Sequence, residues 1–192
     1  VLDGAFHVFS LLTKTSEMNA TISKTFHVPH PLEDVWANIT NPEKIVVCVP
    51  GASLTEMVDA DNFKGEVELK FGPVKARYSG DIGFLERNAD THSMKMKGAG
   101  TDVKGKGGAD MLLNATMSEK DGGTEVNVTM DVTVQGMLAQ FGSRLVTDAT
   151  SHVFDQFVNN FKNQLDGKEV SGSLSAGAMV GSMLKGMFGG KS

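Results

Sequence analysis

The sequence predicts an α+β domain: a curved, seven-stranded antiparallel sheet wrapped around a long C-terminal helix, with two short helices after the first strand. Three observations lead there. Between Phe63 and Val134, apolar and polar residues alternate with a period of two. The alternating runs are joined by short turn signals, which makes neighbouring strands antiparallel. From Met137 to Leu165, apolar residues recur at helical spacing with no proline among them.

The strands read in order. Ile22, Phe26 and Val28 form a first run. Pro31 opens a helix through Val35, Trp36 and Ile39. Asn41-Pro42 starts a second short helix that ends at Val49-Pro50-Gly51, and a second strand lies near Leu54 to Val58. The third strand turns Phe63, Gly65, Val67, Leu69 and Phe71 to one face, and Gly72-Pro73 ends it. The fourth turns Ala76, Tyr78, Gly80, Ile82 and Phe84 the same way, and the fifth Met94, Met96 and Gly98. A glycine-rich stretch from Gly98 to Gly108 follows, expected to be either a gate over a pocket mouth or an ordinary flexible hairpin. The sixth strand faces Ala109, Met111, Leu113, Ala115 and Met117 inward. After Asp121-Gly122-Gly123, the seventh faces Val126, Val128, Met130, Val132 and Val134 inward.

A sheet apolar on one face needs one cover. The segment Met137–Leu165 supplies it, with Leu138, Phe141, Leu145, Ala149, Val153, Phe157 and Phe161 on a stripe. At 1.5 Å per residue it spans roughly 40 Å, enough to cross a sheet.

Composition narrows the function. The 192 residues carry a net charge of −5, against a general nucleic-acid binder, which needs a basic face. One cysteine, Cys48, excludes an internal disulfide framework and a cysteine-rich metal site, and fits a reducing compartment. His27 and His30 offer two metal ligands with no third nearby in sequence, so no metal site is expected. The Gly98–Gly108 stretch lacks phosphate-loop spacing and a following helix.

An inward face built of aliphatic, Met, aromatic and Gly residues makes either a solid core or a pocket wall. The small residues Gly65, Ala76, Gly80, Gly98, Ala109, Ala115 and Ala149 leave volume and favour a pocket, although glycine also serves strand curvature. The expected ligand-binding set is Trp36, Phe63, Val67, Phe71, Tyr78, Gly80, Ile82, Phe84, Met94, Met96, Met111, Leu113, Met130, Phe141, Leu145, Ala149, Val153 and Phe157. The Tyr78 hydroxyl would serve either a ligand carbonyl or the backbone. No catalytic residue is assigned. Asp148 and His152 sit one helical turn apart, and Tyr78 with His152 is the one acid/base pair on offer.

Both ends of the chain differ from the middle. Residues 1–17 read as an upstream extension, with Met18 as the expected natural start, and residues 18–166 as the domain. Residues 167–192 read as a Ser/Gly linker and a short amphipathic tail. The tail's stripe, Met179, Val180, Met183, Leu184, Met187 and Phe188, is expected to contact a membrane or a partner.

Several strings resemble the CoxG-like family, the G-subunit family of carbon monoxide dehydrogenase, within the START-like, or polyketide-cyclase-like, superfamily. They are Phe26-His-Val-Pro-His-Pro31, Val35-Trp36-Ala37, Asn41-Pro42-Glu43, Cys48-Val49-Pro50-Gly51, Phe71 through Gly80, and Gly136 through Leu145. The resemblance covers about Thr21 to Phe161. It implies a helix-grip cavity and an accessory role beside a molybdenum hydroxylase of the carbon monoxide dehydrogenase type. The expected function is to hold an apolar ligand, a quinone or lipid, and recruit the enzyme to the inner face of the cytoplasmic membrane. The expected location is cytoplasmic and peripheral, with no covalent cofactor. The alternative is a cyclase- or dehydratase-like enzyme using the same cavity.

Overall fold

A computed structural model describes the backbone of residues 16–71 and 74–170, and all of their side chains except those of Phe71 and Val74. The tail residues Met179 to Phe188 and most of the 1–17 extension lie outside the described residues.

Seven strands form one antiparallel sheet: β1 (Glu17–Val28), β2 (Ala52–Met57), β3 (Asn62–Phe71), β4 (Val74–Asn88), β5 (Ser93–Asp102), β6 (Gly108–Lys120) and β7 (Gly123–Gln135). Their spatial order is β1-β7-β6-β5-β4-β3-β2, so five of the six pairings join consecutive strands and one, β1 with β7, brings the two ends of the sheet sequence together. Two short helices, α1 (Leu32–Ile39) and α2 (Pro42–Val46), follow β1, and α3 (Ser143–Leu165) closes the domain.

The period-two pattern fixes the register. Ile82 pairs with Phe63 on one side and with Gly98 on the other, and Gly98 pairs with Met111, so one row of apolar side chains crosses the sheet on a single face. The row continues from Met111 to Val132 and on to Ala20. A bulge between Phe84 and Glu86 shifts the β4–β5 register by one residue and leaves Leu85 exposed.

The helix corner follows from local chemistry. The Asn41 side chain accepts the backbone N–H groups of Glu43 and Lys44 at 3.0 and 3.2 Å, and Pro42 occupies the first turn, where no donor is needed. Val28, Val35 and Cys48 are fully buried behind this corner. The C-terminal half of α3 locks onto it. Asn160 Nδ2 donates to the Cys48 carbonyl at 3.0 Å, the Cys48 thiol donates to Gln164 Oε1, and Phe161 is completely buried. Burial pushes the Cys48 thiol up to about 11, so this cysteine is a packing group and not a nucleophile at neutral pH.

Two boundaries differ from the sequence reading. The long helix begins at Ser143, not Met137: Leu138–Phe141 is a 3-10 turn, and Gly142 at φ 90° changes the chain's direction before α3. The stripe is therefore broken, and Phe141 is 47% exposed. The Gly98–Gly108 stretch is mostly strand. β5 runs on to Asp102, whose carboxylate accepts the N–H groups of Lys104 and Lys106, leaving a connection of only residues 103–107.

Of the two roles expected for the inward glycines, Gly80 takes strand geometry while still lining the concave face. A Cβ there would lie 2.0 Å from the Ala99 carbonyl oxygen, so glycine permits the close β4–β5 approach at the bend of the sheet. At Gly98 the nearest atoms to a Cβ would be side-chain atoms of Met111 and Ile82 at 3.5 to 3.9 Å. Gly80→Leu is therefore expected to lower unfolding free energy by about 3 kcal/mol or more, and Gly98→Ala to change it by less than about 1 kcal/mol. Urea denaturation of the two variants measures the contrast.

Candidate ligand cavity

The concave face of the sheet is filled unevenly. At the α1 end it is solid: Phe63 and Phe84 rings lie 6.2 Å apart, Arg87 stands 4.5 Å over the Phe84 ring, and Trp36 meets His92 edge-on at 5.5 Å. Phe26, Phe154, Phe157 and Phe161 continue the packing along α3 at centroid spacings of 5.8 to 6.2 Å. Towards the N-terminal half of α3 the packing stops. Leu145, Val146, Ala149, Thr150 and Val153 face a cavity of about 440 Å³ instead of a second apolar layer. That volume lies in the range of small-molecule sites, roughly 300–1,000 Å³.

Of the residues named from sequence, Phe63, Val67, Tyr78, Gly80, Ile82, Met94, Met96, Met111, Leu113, Met130, Leu145, Ala149, Val153 and Phe157 line this cavity. Three do not. Trp36 and Phe84 belong to the solid end, because α1 covers the sheet there and the β4 bulge turns the chain beside Phe84. Phe141 points to solvent because the Gly142 break displaces it from the α3 stripe. The Phe71 side chain lies outside the described residues.

Sequence reasoning missed the cavity's third wall. Ile39, Pro42, Ile45, Val46 and Val49 from the helix corner and Ala52 and Leu54 from β2 also line it. Ile45-Val46 within so short a helix was the available signal. Adjacent helical positions lie about 100° apart, so both can share one apolar face, and here both line the cavity.

The walls carry little chemistry. The Thr150 hydroxyl donates to the Val146 carbonyl of its own helix at 2.8 Å. Tyr78 is buried to 6% exposure, and its hydroxyl makes no hydrogen bond among the described residues. Burial, with the Asp102 carboxylate as a smaller contribution, holds this phenol above its ordinary value near 10, so it remains a proton donor at neutral pH. The Tyr78–His152 pair does not assemble: His152 is exposed and bonds Gln156 at 2.9 Å. Asp148 instead faces Arg144 at 3.9 Å. His27 bonds the Lys120 carbonyl and His30 bonds Asp166, and no group of three metal-ligating side chains occurs among the described residues.

Known proteins of similar shape carry the same layout. A conserved protein from Geobacillus kaustophilus superposes with a TM-score of 0.69 at 19% identity, covering 78% of this chain and 96% of its own. Zhui aromatase/cyclase from Streptomyces sp. R1128 gives 0.58 at 8% identity, over 78% and 94%. Ara h 8.0201 gives 0.54 at 13%, over 79% and 100%. At these identities the likeness is one of fold, the helix grip. No curated protein matches the sequence. A family model does match, over residues 25–166, from the second half of β1 to the residue after α3. The chain belongs to the carbon monoxide dehydrogenase G-subunit (CoxG) family.

Proposed function

We propose that this protein is an accessory binding protein of a carbon monoxide dehydrogenase-type molybdenum hydroxylase. It holds an apolar small molecule, a quinone or lipid, in the helix-grip cavity, and it brings the enzyme to the cytoplasmic face of the membrane. The observation that carries this reading is an apolar cavity of about 440 Å³ in a chain of the CoxG family. Transfer of apolar surface from water favours occupancy of such a space at about 25 cal/mol per Å². Proton-transfer catalysis needs positioned acids and bases; of the ionisable residues lining the cavity, Glu66 pairs with Arg77, Asp81 and Asp110 are exposed, and Tyr78, beside the Asp102 carboxylate, does not meet His152. The choice of a quinone rests on the need of such an enzyme for an electron acceptor, and the choice of enzyme rests on family membership.

Gly98 and Ala149 both line the cavity, and Gly98 has room for side-chain atoms. The combined variant Gly98→Leu/Ala149→Leu is expected to stay folded and to weaken uptake of a fluorescent hydrophobe by about tenfold or more. Fluorescence titration measures this. Unchanged uptake by the folded variant removes the cavity as the binding site.

Membrane recruitment rests on the sequence of the tail. Met179, Val180, Met183, Leu184, Met187 and Phe188 supply about 1.5 kcal/mol or more for each large side chain fully buried at an interface, less the cost of ordering a glycine-rich segment. Reversible attachment is expected. No helix among the described residues is long and apolar enough to cross a membrane. A chain truncated at Gly167, just beyond α3, is expected to fold and to lose liposome co-sedimentation. Equal sedimentation of both forms counts against the anchor, and a difference seen only with the partner enzyme makes the tail a protein-docking segment.

A further inference from the structure

A second, polar cavity of about 290 Å³ adjoins the first at the end of the sheet opposite the solid core. Tyr78 and Leu138 line both spaces, which meet at these two residues. The remaining lining comes from Glu68 of β3, the start of β4, Asp102 at the end of β5, the 103–107 connection and Met137. The connection is held in place. Met137 N–H donates to the Lys106 carbonyl at 3.0 Å, Val103 N–H to the Arg77 carbonyl at 2.9 Å, and Asp102 N–H to the Gly107 carbonyl at 3.0 Å.

The charges of this space are unbalanced in one direction. Two acids, Glu68 and Asp102, and four bases, Lys75, Arg77, Lys104 and Lys106, line it. Glu68 pairs with Lys70 at 2.9 Å, and Asp102 accepts the backbone N–H groups of Lys104 and Lys106, bonds that do not cancel its negative charge. Arg77 pairs with Glu66. Lys104 and Lys106, both exposed, are among the residues that line the space, and their side chains make no ion pair among the described residues. The Tyr78 hydroxyl, on a residue 6% exposed, is a further donor with no acceptor among the described residues, and it is open to solvent, since no fully buried polar side-chain atom among them lacks a partner. The space therefore presents unused donors and positive charge, and it opens beside an apolar cavity.

We propose that the two spaces together form one site for an amphipathic anion, with its apolar body in the larger cavity and its carboxylate or phosphate head between Tyr78, Lys104 and Lys106. This rests on the reading that the larger cavity holds an apolar ligand, and of the quinone and lipid named there it selects an acidic lipid: a molecule with an apolar chain and one anionic end. Charge-assisted bonds from ammonium groups to such a head are roughly twice as strong as neutral ones. The phenol adds directionality at the junction, where the head leaves the apolar volume.

The test titrates the full-length protein with a fluorescent long-chain fatty acid and with the fatty alcohol of the same length, both below their micellar concentrations. The intact protein is expected to prefer the acid by about tenfold. Lys104→Glu/Lys106→Glu is expected to abolish the preference while alcohol affinity stays within about twofold. Lys104→Gln/Lys106→Gln, a milder change, and added salt acting on the unmodified protein are each expected to reduce it. Tyr78→Phe is expected to lower acid affinity more than alcohol affinity. Equal binding of acid and alcohol by the intact protein overturns the proposal and leaves the apolar-cavity reading standing. Failure of both probes to bind overturns both. A further arm uses vesicles of anionic phosphatidylglycerol. Charge reversal that costs vesicle binding but leaves the acid preference intact overturns the proposal, because the lysines then read bilayer headgroups.

Discussion

The anchoring of α3 at its C-terminal end is the constraint on which the other features depend. Asn160, Phe161 and Gln164 fix that end to the Cys48 corner, and a hydrogen bond between His30 and Asp166 at 2.9 Å sits just beyond it. Lys24, facing the helix from β1, reaches Asp155 at 2.9 Å. α3 packs most closely on β1, while its N-terminal half crosses the rest of the concave sheet without a filled layer beneath it. Close packing is the rule in protein interiors, so an unfilled apolar volume of this size is conspicuous. Here it is bounded by a helix whose position is set elsewhere.

That geometry divides the domain into a stable end and a receptive end. The aromatic cluster and the capped corner α1–α2 supply packing at one end, where Val28, Val35, Val126 and Phe161 have no solvent exposure. The cavity beyond it, at the receptive end, is enclosed by half-buried aliphatic side chains of β2, early α3 and the side of α2 turned away from that packing. Changes in the fill of the cavity are expected to be felt at that end first, because fewer buried contacts restrain it. The polar space behind Tyr78 lies at the same end, so its donors adjoin the volume they would serve.

Most of the architecture was legible in the residues because a half-covered antiparallel sheet writes its pattern with period two. The alternation from Phe63 to Val134 placed the inward rows on the correct face for the described side chains, and the register follows from it. What was not legible depended on backbone geometry that composition does not report. Gly142 ends one helical segment and starts another, and Phe141 moves to solvent as a result. Gly80 serves a backbone approach, whereas Gly98, equally glycine and on the same face, opens space. The wall from α1, α2 and β2 was missed because short elements carry too few residues for periodicity to show a face. The partnerless state of the Tyr78 hydroxyl depends on what surrounds it in three dimensions, and sequence left both of its outcomes open.

Whether the cavity is occupied in the protein as it is made is the most direct test of this account. Native mass spectrometry of the full-length protein, followed by solvent extraction and identification of the released material, measures it. The account predicts a protein species heavier than the chain alone by the mass of an apolar or amphipathic molecule, and the loss of that species on extraction. A protein that runs at its chain mass, and that takes up neither a quinone nor a fatty acid when offered, would contradict it.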